Sequence, residues 1–174
     1  MIGMIKAKLG EGSVVTESSN EARELFNKGR FGAIKKSRVV LSLFEALFLI
    51  EKGKLDVFLG KKSLSEDSFA TRANKKIKHF ITKYVVFRDL RDRGYIVKTA
   101  LKFGADFRVY DKGINPGDDH AKWIVFPVHE SEHLTWHEFA SKNRVAHSTK
   151  KRLLIGIVDD EEDVTYYEIA WKRP

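Results

Sequence analysis

After Gly94 the chain carries five stretches of strand length, and these constrain the fold of its second half more than any other feature. Tyr95–Thr99, Ala105–Tyr110, Lys122–Val128, Arg152–Val158 and Val164–Ala170 are each rich in β-branched or aromatic residues. Thr135-Trp-His-Glu138 has the spacing of a capping box, which predicts one helix between the third and fourth strands. A helix from about Ile81 to Arg93, stopped by Gly94, precedes them all. Upstream the texture differs. Short extended stretches, Met4–Leu9 and Ser13–Thr16, lead into a helix capped by Ser19 or Asn20, with Glu21 and Glu24 in its first turns, and stopped at Gly29. A second capping box, Ser42-Leu-Phe-Glu45, opens an apolar helix that runs to Ile50 and stops at Lys52 and Gly53. Leu55–Leu59 reads as a strand, and Ser65-Glu66-Asp67 starts a third helix ending in Lys75, Lys76 and Lys78. The change of texture near residue 80 predicts two α/β units, residues 1–80 and 81–174, the second with a largely β core.

Composition narrows the class. Of 174 residues 43% are apolar, with 12 Phe and 3 Trp, enough for one good core or two small ones. No apolar run approaches the ~20 residues that span a bilayer, and the lysine-containing start has no signal-peptide apolar region. The absence of Cys excludes a disulfide framework and a thiolate zinc site. The expectation is a soluble cytoplasmic protein. The net charge of +8 is unevenly placed: residues 1–84 hold 17 Lys/Arg against 9 Asp/Glu, and residues 85–174 hold 15 against 15. Such a surplus attracts polyanions, although a Lys/Glu-rich solvated surface of a heat-adapted protein would look similar.

Three candidate sites stand out. His129-Glu-Ser-Glu-His133 matches the H-E-x-x-H zinc pattern, which requires both His on one helical face. Here it follows a strand containing Pro127, and the helix start at Thr135 comes after the second His, so a polar loop is expected. A Mg-dependent nuclease would need clustered carboxylates. Asp106 has no acidic neighbour on the next strand, Asp118 and Asp119 lie in a glycine-containing loop, and the run Asp159-Asp160-Glu161-Glu162-Asp163 lacks spaced ligands and a turn glycine. The third candidate is dispersed: Tyr110 at the end of one strand, His120 at the start of the next, and Lys151 at the head of the fourth. Each taken singly also reads as an aromatic strand cap, a loop His and a solvated Lys.

A family resemblance bears on that choice. The segment from Arg88 through Gly94 to Tyr110 resembles the signature region of the archaeal tRNA-splicing endonucleases. So do Asp119-His-Ala-Lys-Trp-Ile-Val, Arg144-Val-Ala-His-Ser-Thr-Lys-Lys-Arg-Leu-Leu and Asp159-Asp-Glu-Glu-Asp-Val-Thr-Tyr-Tyr. Four separated blocks agree in order and approximate spacing across most of residues 84–174. The N-terminal half is similar mainly through Leu41-Ser-Leu-Phe-Glu-Ala-Leu-Phe-Leu-Ile. The resemblance implies an α/β (α+β) architecture, a small N-terminal α/β domain followed by a nuclease-like catalytic domain with a mixed β-sheet flanked by helices. It assigns the catalytic Tyr, His and Lys to Tyr110, His120 and Lys151, with Lys150 as a one-residue alternative for the last. This chain has Ala121-Lys-Trp after the His where some relatives have Ser and Tyr.

The implied activity is metal-independent and needs no cofactor: excision of introns from precursor tRNA at bulge-helix-bulge junctions, leaving 2′,3′-cyclic phosphate and 5′-hydroxyl ends. RNA supplies its own 2′-hydroxyl nucleophile, so the enzyme must provide a base, an acid for the departing 5′-oxygen and positive charge on the phosphorane. The resemblance gives these roles to Tyr110, His120 and Lys151 respectively. A His suits proton donation near neutrality, whereas a phenol becomes an effective base only beside cations. Shape recognition of splayed bulge bases suits Arg and aromatic stacking, and Arg144 is the candidate contact; a solvated loop arginine is the other reading. Two cuts imply a particle with two-fold symmetry. A chain with a single copy of the unit is expected to form a homotetramer, or the catalytic half of a heterotetramer, with Asp159, Asp160, Glu161, Glu162 and Asp163 entering a basic pocket of a neighbour. A non-catalytic RNA-binding or structural subunit of the same fold, and a metal-dependent DNA nuclease, are the rival readings.

Overall fold

Capping chemistry starts the helices of this chain. In the computed structural model, which describes residues 3–117 and 119–174, the side chains of Ser19, Ser42, Ser65 and Thr135 each accept a hydrogen bond from the backbone N–H three residues on. They open helices α1 (Asn20–Asn27), α2 (Leu43–Glu51), α3 (Glu66–Lys76) and α5 (Trp136–Ser148), while α4 covers Phe80–Asp92. Both predicted capping boxes are formed, by Ser42 with Glu45 and by Thr135 with Glu138. The hydrogen bonds from Thr135 hold the Glu138 carboxyl below its ordinary range. After α4 the chain reverses at Gly94, whose φ of +93° suits a residue without Cβ. The chain divides into two compact units, Met1–Phe80 and Ile81–Pro174.

The first unit holds a mixed six-stranded sheet made of β1 (Ile5–Leu9), β2 (Val14–Thr16), β3 (Ala33–Lys35), β4 (Arg38–Leu41), β5 (Leu55–Leu59) and β6 (Lys62–Ser63). Their order is β3-β4-β2-β1-β5-β6, with β1 and β5 parallel and the other pairs antiparallel. Strand alternation gives the sheet two unlike faces. Ile5, Ala7, Val14, Thr16, Val39, Leu41, Leu55 and Val57 are buried, and α2, buried along seven of its residues, packs on β4 and β5. The intervening positions are exposed or half-buried.

A buried carboxylate ties this unit together. Glu45, 4% exposed, accepts hydrogen bonds from the Gly32 N–H (2.8 Å), the Ser42 N–H (2.9 Å) and the Ser42 hydroxyl (3.0 Å). Three donors satisfy a charge that would otherwise be costly to bury. The same side chain thereby caps α2 and anchors the chain entering β3. Gly32 itself has φ +63°, and a Cβ there would meet the Val40 carbonyl oxygen at 2.5 Å.

The second unit is a mixed five-stranded sheet in the order β11-β10-β9-β8-β7. Its strands are β7 (Ile96–Thr99), β8 (Phe107–Tyr110), β9 (Trp123–His129), β10 (Arg152–Val158) and β11 (Val164–Ile169). Only β9 and β10 run parallel, and α5 is the crossover between them. On one face Ile124, Phe126, Leu153 and Ile155 pack with Ala146 and the half-buried Phe139 and Val145 of α5. On the other lies α4, with Phe87 against Phe107 (centroids 5.7 Å apart) and Val86 over Gly156, where a Cβ would crowd it at 3.1 Å.

Polar contacts hold the strand edges. The Tyr166 hydroxyl donates to Asp89 (2.7 Å), and burial together with that carboxylate raises the phenol well above its ordinary range. The Trp123 indole N–H and the Arg152 guanidinium both donate to Glu168, at 2.7 and 3.0 Å, and the indole contact above all holds that carboxyl below its usual range. Among the described residues no helix is long and apolar enough to cross a membrane.

Glu45→Ala leaves the Gly32 and Ser42 donors without their acceptor and is expected to cost about 2–3 kcal/mol, read as a lowered urea midpoint by circular dichroism. Glu168 contributes stability above the ordinary carboxylate range, and this is lost as pH falls through its depressed folded value. Glu168 is exposed and its charged contacts are screened by solvent. Glu168→Gln is therefore expected to lower stability by less than about 1 kcal/mol at neutral pH, with the difference from wild type closing as the solution is acidified in parallel thermal melts.

Candidate active site

The strand directions bring one end of the C-terminal sheet into focus. β8 runs antiparallel to β9, and β9 parallel to β10. The end of β8 and the starts of β9 and β10 therefore lie side by side. Val109 and Arg152 are both in register with Trp123. One step further along, the Lys122 N–H donates to the Val109 carbonyl (2.8 Å) and the Arg152 N–H to the Lys122 carbonyl (3.1 Å). Tyr110, Lys122 and Lys151 thus form the next row across the sheet, extended on β7 by Ile96. With strands about 4.8 Å apart, the Tyr110 and Lys151 backbones are about 10 Å from each other. His120 precedes β9, between them in strand order.

Alternation also sets the face. Arg108 is in register with Ile124, which is in register with Leu153 on the α5 side of the sheet. Tyr110, two residues beyond Arg108, and Lys151, two before Leu153, share that side. Tyr110 is 5% exposed and packs with Ile96, Ala121 and Ile114. His120 is exposed, and its backbone N–H donates to the Asp119 carboxylate (2.7 Å). Lys151 is half-buried, its ammonium donating to the Thr149 carbonyl (3.0 Å) and lying 5.7 Å from the Phe103 ring centroid. Lys150, by contrast, is exposed in the left-handed turn that ends α5, with φ +56°.

Three neighbours at this sheet end were not singled out by sequence reasoning. The Arg108 guanidinium lies 5.9 Å from the Tyr110 ring centroid, a placement that the two-residue spacing could have suggested. Phe103 belongs to a short 3-10 turn (Leu101–Phe103) with no pattern of its own. Lys122 reaches Asp111 (3.5 Å) and sits over the Trp123 ring at 4.4 Å. Together the row offers a phenol, an imidazole and several cations around one sheet end, the chemistry suited to a dianionic phosphorane.

The other candidates are accounted for separately. Arg144 is exposed on α5 and, with Ala140, Asn143, His147 and Trp171, lines an apolar groove of ≈ 380 Å³. The His147 and Trp171 rings meet edge-on at 4.5 Å, and Arg173 lies over Trp171 at 5.7 Å. The acidic run forms the turn from β10 to β11. Asp159 accepts from the Glu161 and Asp163 N–H groups (both 2.9 Å), Glu162 pairs with Arg88 (2.7 Å) and Asp160 with His129 (3.2 Å). Of the H-E-x-x-H match, His129 ends strand β9 and the helix starts only after Thr135, so the two His share no helical face. Asp106 is paired with Lys83 (2.7 Å), and Asp118 lies outside the described residues.

Comparison with known proteins agrees with this architecture. Residues 80–166 match the family described as tRNA intron endonuclease, catalytic C-terminal domain, and residues 5–70 match the tRNA intron endonuclease N-terminal domain. A protein of Thermococcus gammatolerans called tRNA-splicing endonuclease is 39% identical over 170 residues, covering 98% of this chain and 99% of the relative. One of Methanothermobacter thermautotrophicus with the same name is 39% identical over the same shares. A third, from Nanoarchaeum equitans, is 46% identical over 140 residues, 77% of this chain and 90% of the relative. With both domains matched and identity sustained along nearly the whole chain, this protein belongs to the tRNA intron endonuclease family.

Proposed function

We propose that this protein excises introns from precursor tRNA, and that Tyr110, His120 and Lys151 carry out the cleavage without a metal. The observation that carries this reading is the shared sheet end, where an end of β8 meets the starts of β9 and β10 in a chain of this family. Tyr110 takes the proton from the 2′-hydroxyl, which attacks the adjacent phosphorus. His120 protonates the departing 5′-oxygen, and Lys151 neutralises the phosphorane. The bond broken is P–O5′ and the bond formed is O2′–P, so the products are a 2′,3′-cyclic phosphate and a 5′-hydroxyl. Lys151 is favoured over Lys150 because strand alternation puts it on the same side as Tyr110 and its ammonium is already held near Phe103. Arg108 supplies a second positive charge beside the phenol.

The substrate is taken to be a bulge-helix-bulge RNA. The groove of Arg144, His147 and Trp171 suits a splayed base, because a guanidinium and aromatic rings stack on any base face. Assembly is read as a homotetramer in which the acidic turn enters a neighbouring subunit. Asp160, Glu161 and Asp163 are exposed in that turn, while Asp159 serves mainly to order it.

His120→Ala and Lys151→Ala are each expected to slow single-turnover cleavage of a bulge-helix-bulge RNA by about 10²–10⁴-fold, with unchanged folding by circular dichroism. Wild-type cleavage should persist in EDTA; abolition by chelation would overturn the metal-free mechanism, and a wild-type rate for His120→Ala would overturn the site. The triple substitution Asp160→Lys, Glu161→Lys and Asp163→Lys should halve the particle mass by light scattering, whereas an unchanged mass would refute the role of the turn in assembly.

A further inference from the structure

The charge of the two units is unequal. Residues 1–80 carry 16 Lys/Arg against 9 Asp/Glu, and residues 81–174 carry 16 against 15, so seven of the eight net positive charges belong to the unit without the candidate site. Part of that surplus is gathered on one surface. On the solvent face of the N-terminal sheet, Lys6 and Lys8 alternate with the buried Ile5 and Ala7 along β1. Lys8 is in register with Phe58 on β5 and Val15 on β2, Val15 with Val40 on β4, and Val40 with Ala33 on β3. The neighbouring row contains Lys35 and Arg38, in register with one another, then Glu17, Lys6 and Asp56. Lys6, Lys8, Lys35 and Arg38 are all exposed, and Val15, Val40 and Phe58 are half-buried between them.

The two acids of this face are engaged locally. Glu17 accepts from the Lys6 N–H (3.3 Å), and Asp56 accepts from the Ser63 hydroxyl. None of the four cations forms an ion pair among the described residues. Lysines on an edge strand discourage edge-to-edge pairing, which accounts for Lys35 on β3. It does not account for Lys6 and Lys8, because β1 lies inside the sheet between β2 and β5. Their side chains leave one face of the strand about 7 Å apart, and Lys35 is about 14 Å from Lys6 across the sheet. That array matches the spacing and sign of a phosphodiester backbone better than a compact acidic ligand, and the apolar seam with Phe58 accommodates sugars or an unstacked base.

We propose that this open face of the N-terminal sheet is a second RNA-binding surface, which holds the sugar–phosphate backbone of the precursor tRNA away from the cleavage junction. The proposal rests on the reading of the protein as an intron-excising enzyme. It assigns the N-terminal unit to affinity and leaves the chemistry to the other.

The test uses the full chain carrying Lys6→Gln, Lys8→Gln, Lys35→Gln and Arg38→Gln, assayed on an intact precursor tRNA and on a minimal bulge-helix-bulge RNA. The expected result is a KM raised about tenfold or more on the intact substrate alone, with kcat unchanged on both. The slope of log Kd against log salt for the intact RNA should fall in magnitude by about 3, the loss of four phosphate contacts. The Lys6→Arg, Lys8→Arg, Lys35→Arg variant, with Arg38 retained, should keep the wild-type KM. An unchanged KM on the intact substrate would overturn the proposal. So would an equal loss on both RNAs, and so would a reduced particle mass by light scattering, which would make the face a contact for another subunit. If the wild-type protein cleaves neither RNA, the functional reading itself fails, a result separable from all of these.

Discussion

The parallel pairing of β9 with β10 is the constraint on which the C-terminal unit depends. Parallel neighbours must start at the same end of a sheet, so the chain leaving β9 has to travel back along the sheet before β10 can begin. Helix α5 makes that journey, and its apolar side covers Ile124, Phe126, Leu153 and Ile155 on the way. Because β8 and β9 are joined antiparallel, β8 finishes where the other two begin. The β8–β9 loop and the turn from α5 into β10, tens of residues apart in sequence, therefore open at one place. The hydrogen-bonded ladder, continued by Lys122 to both sides, fixes the register there to within a residue.

That register has chemical consequences. A slip by one residue would turn Tyr110 and Lys151 to the α4 side and replace them with Val109 and Arg152. Burial on both faces of β10 prevents such a slip, since Leu153 and Ile155 pack under α5 while Leu154 and Val158 are buried on the other face. The contacts of Trp123 and Arg152 with Glu168 lock the same row from the α4 side. On the proposed mechanism, a row of side chains held this way needs little reorganisation when charge develops on a phosphorane beside it. The N-terminal unit obeys a separate logic. Its integrity rests on Glu45, and its sheet keeps one face in solvent, where Lys6, Lys8, Lys35 and Arg38 are exposed.

How far each feature could be read in advance depended on whether its cause was local. The helix starts at Ser42 and Thr135 are legible because a capping box is complete within four residues. Leu55–Leu59 and Arg152–Val158 coincide with their strands because alternation or continuous burial shows over five to seven residues. The hairpin of β3 and β4 escaped notice. Its two-residue turn, Lys36-Ser37, has positive φ at both positions without the Gly, Asn or Asp that ordinarily signals one. Its conformation is imposed by pairing with β2 and by the Glu45 anchor at Gly32, both remote in sequence. The H-E-x-x-H match failed in the opposite direction: the motif is local, but its meaning needs a helix, and those residues end a strand and enter a turn.

By itself the sequence determined the capped helices, most of the strands and, through resemblance, the family, since these follow from short-range periodicity and from blocks of residue types in order. It did not determine which side chains meet. Phe103 beside Lys151 and Arg144 in a groove with Trp171 are separated by 48 and 27 positions respectively. Only sheet order, strand direction and the α5 crossover decide such meetings, because a residue's partner across a sheet is set by the register of long-range hydrogen bonds. The division of a basic surface from a nearly neutral catalytic half was present in the composition. That four of those cations share one open sheet face was decided by the pairing of β1 through β5.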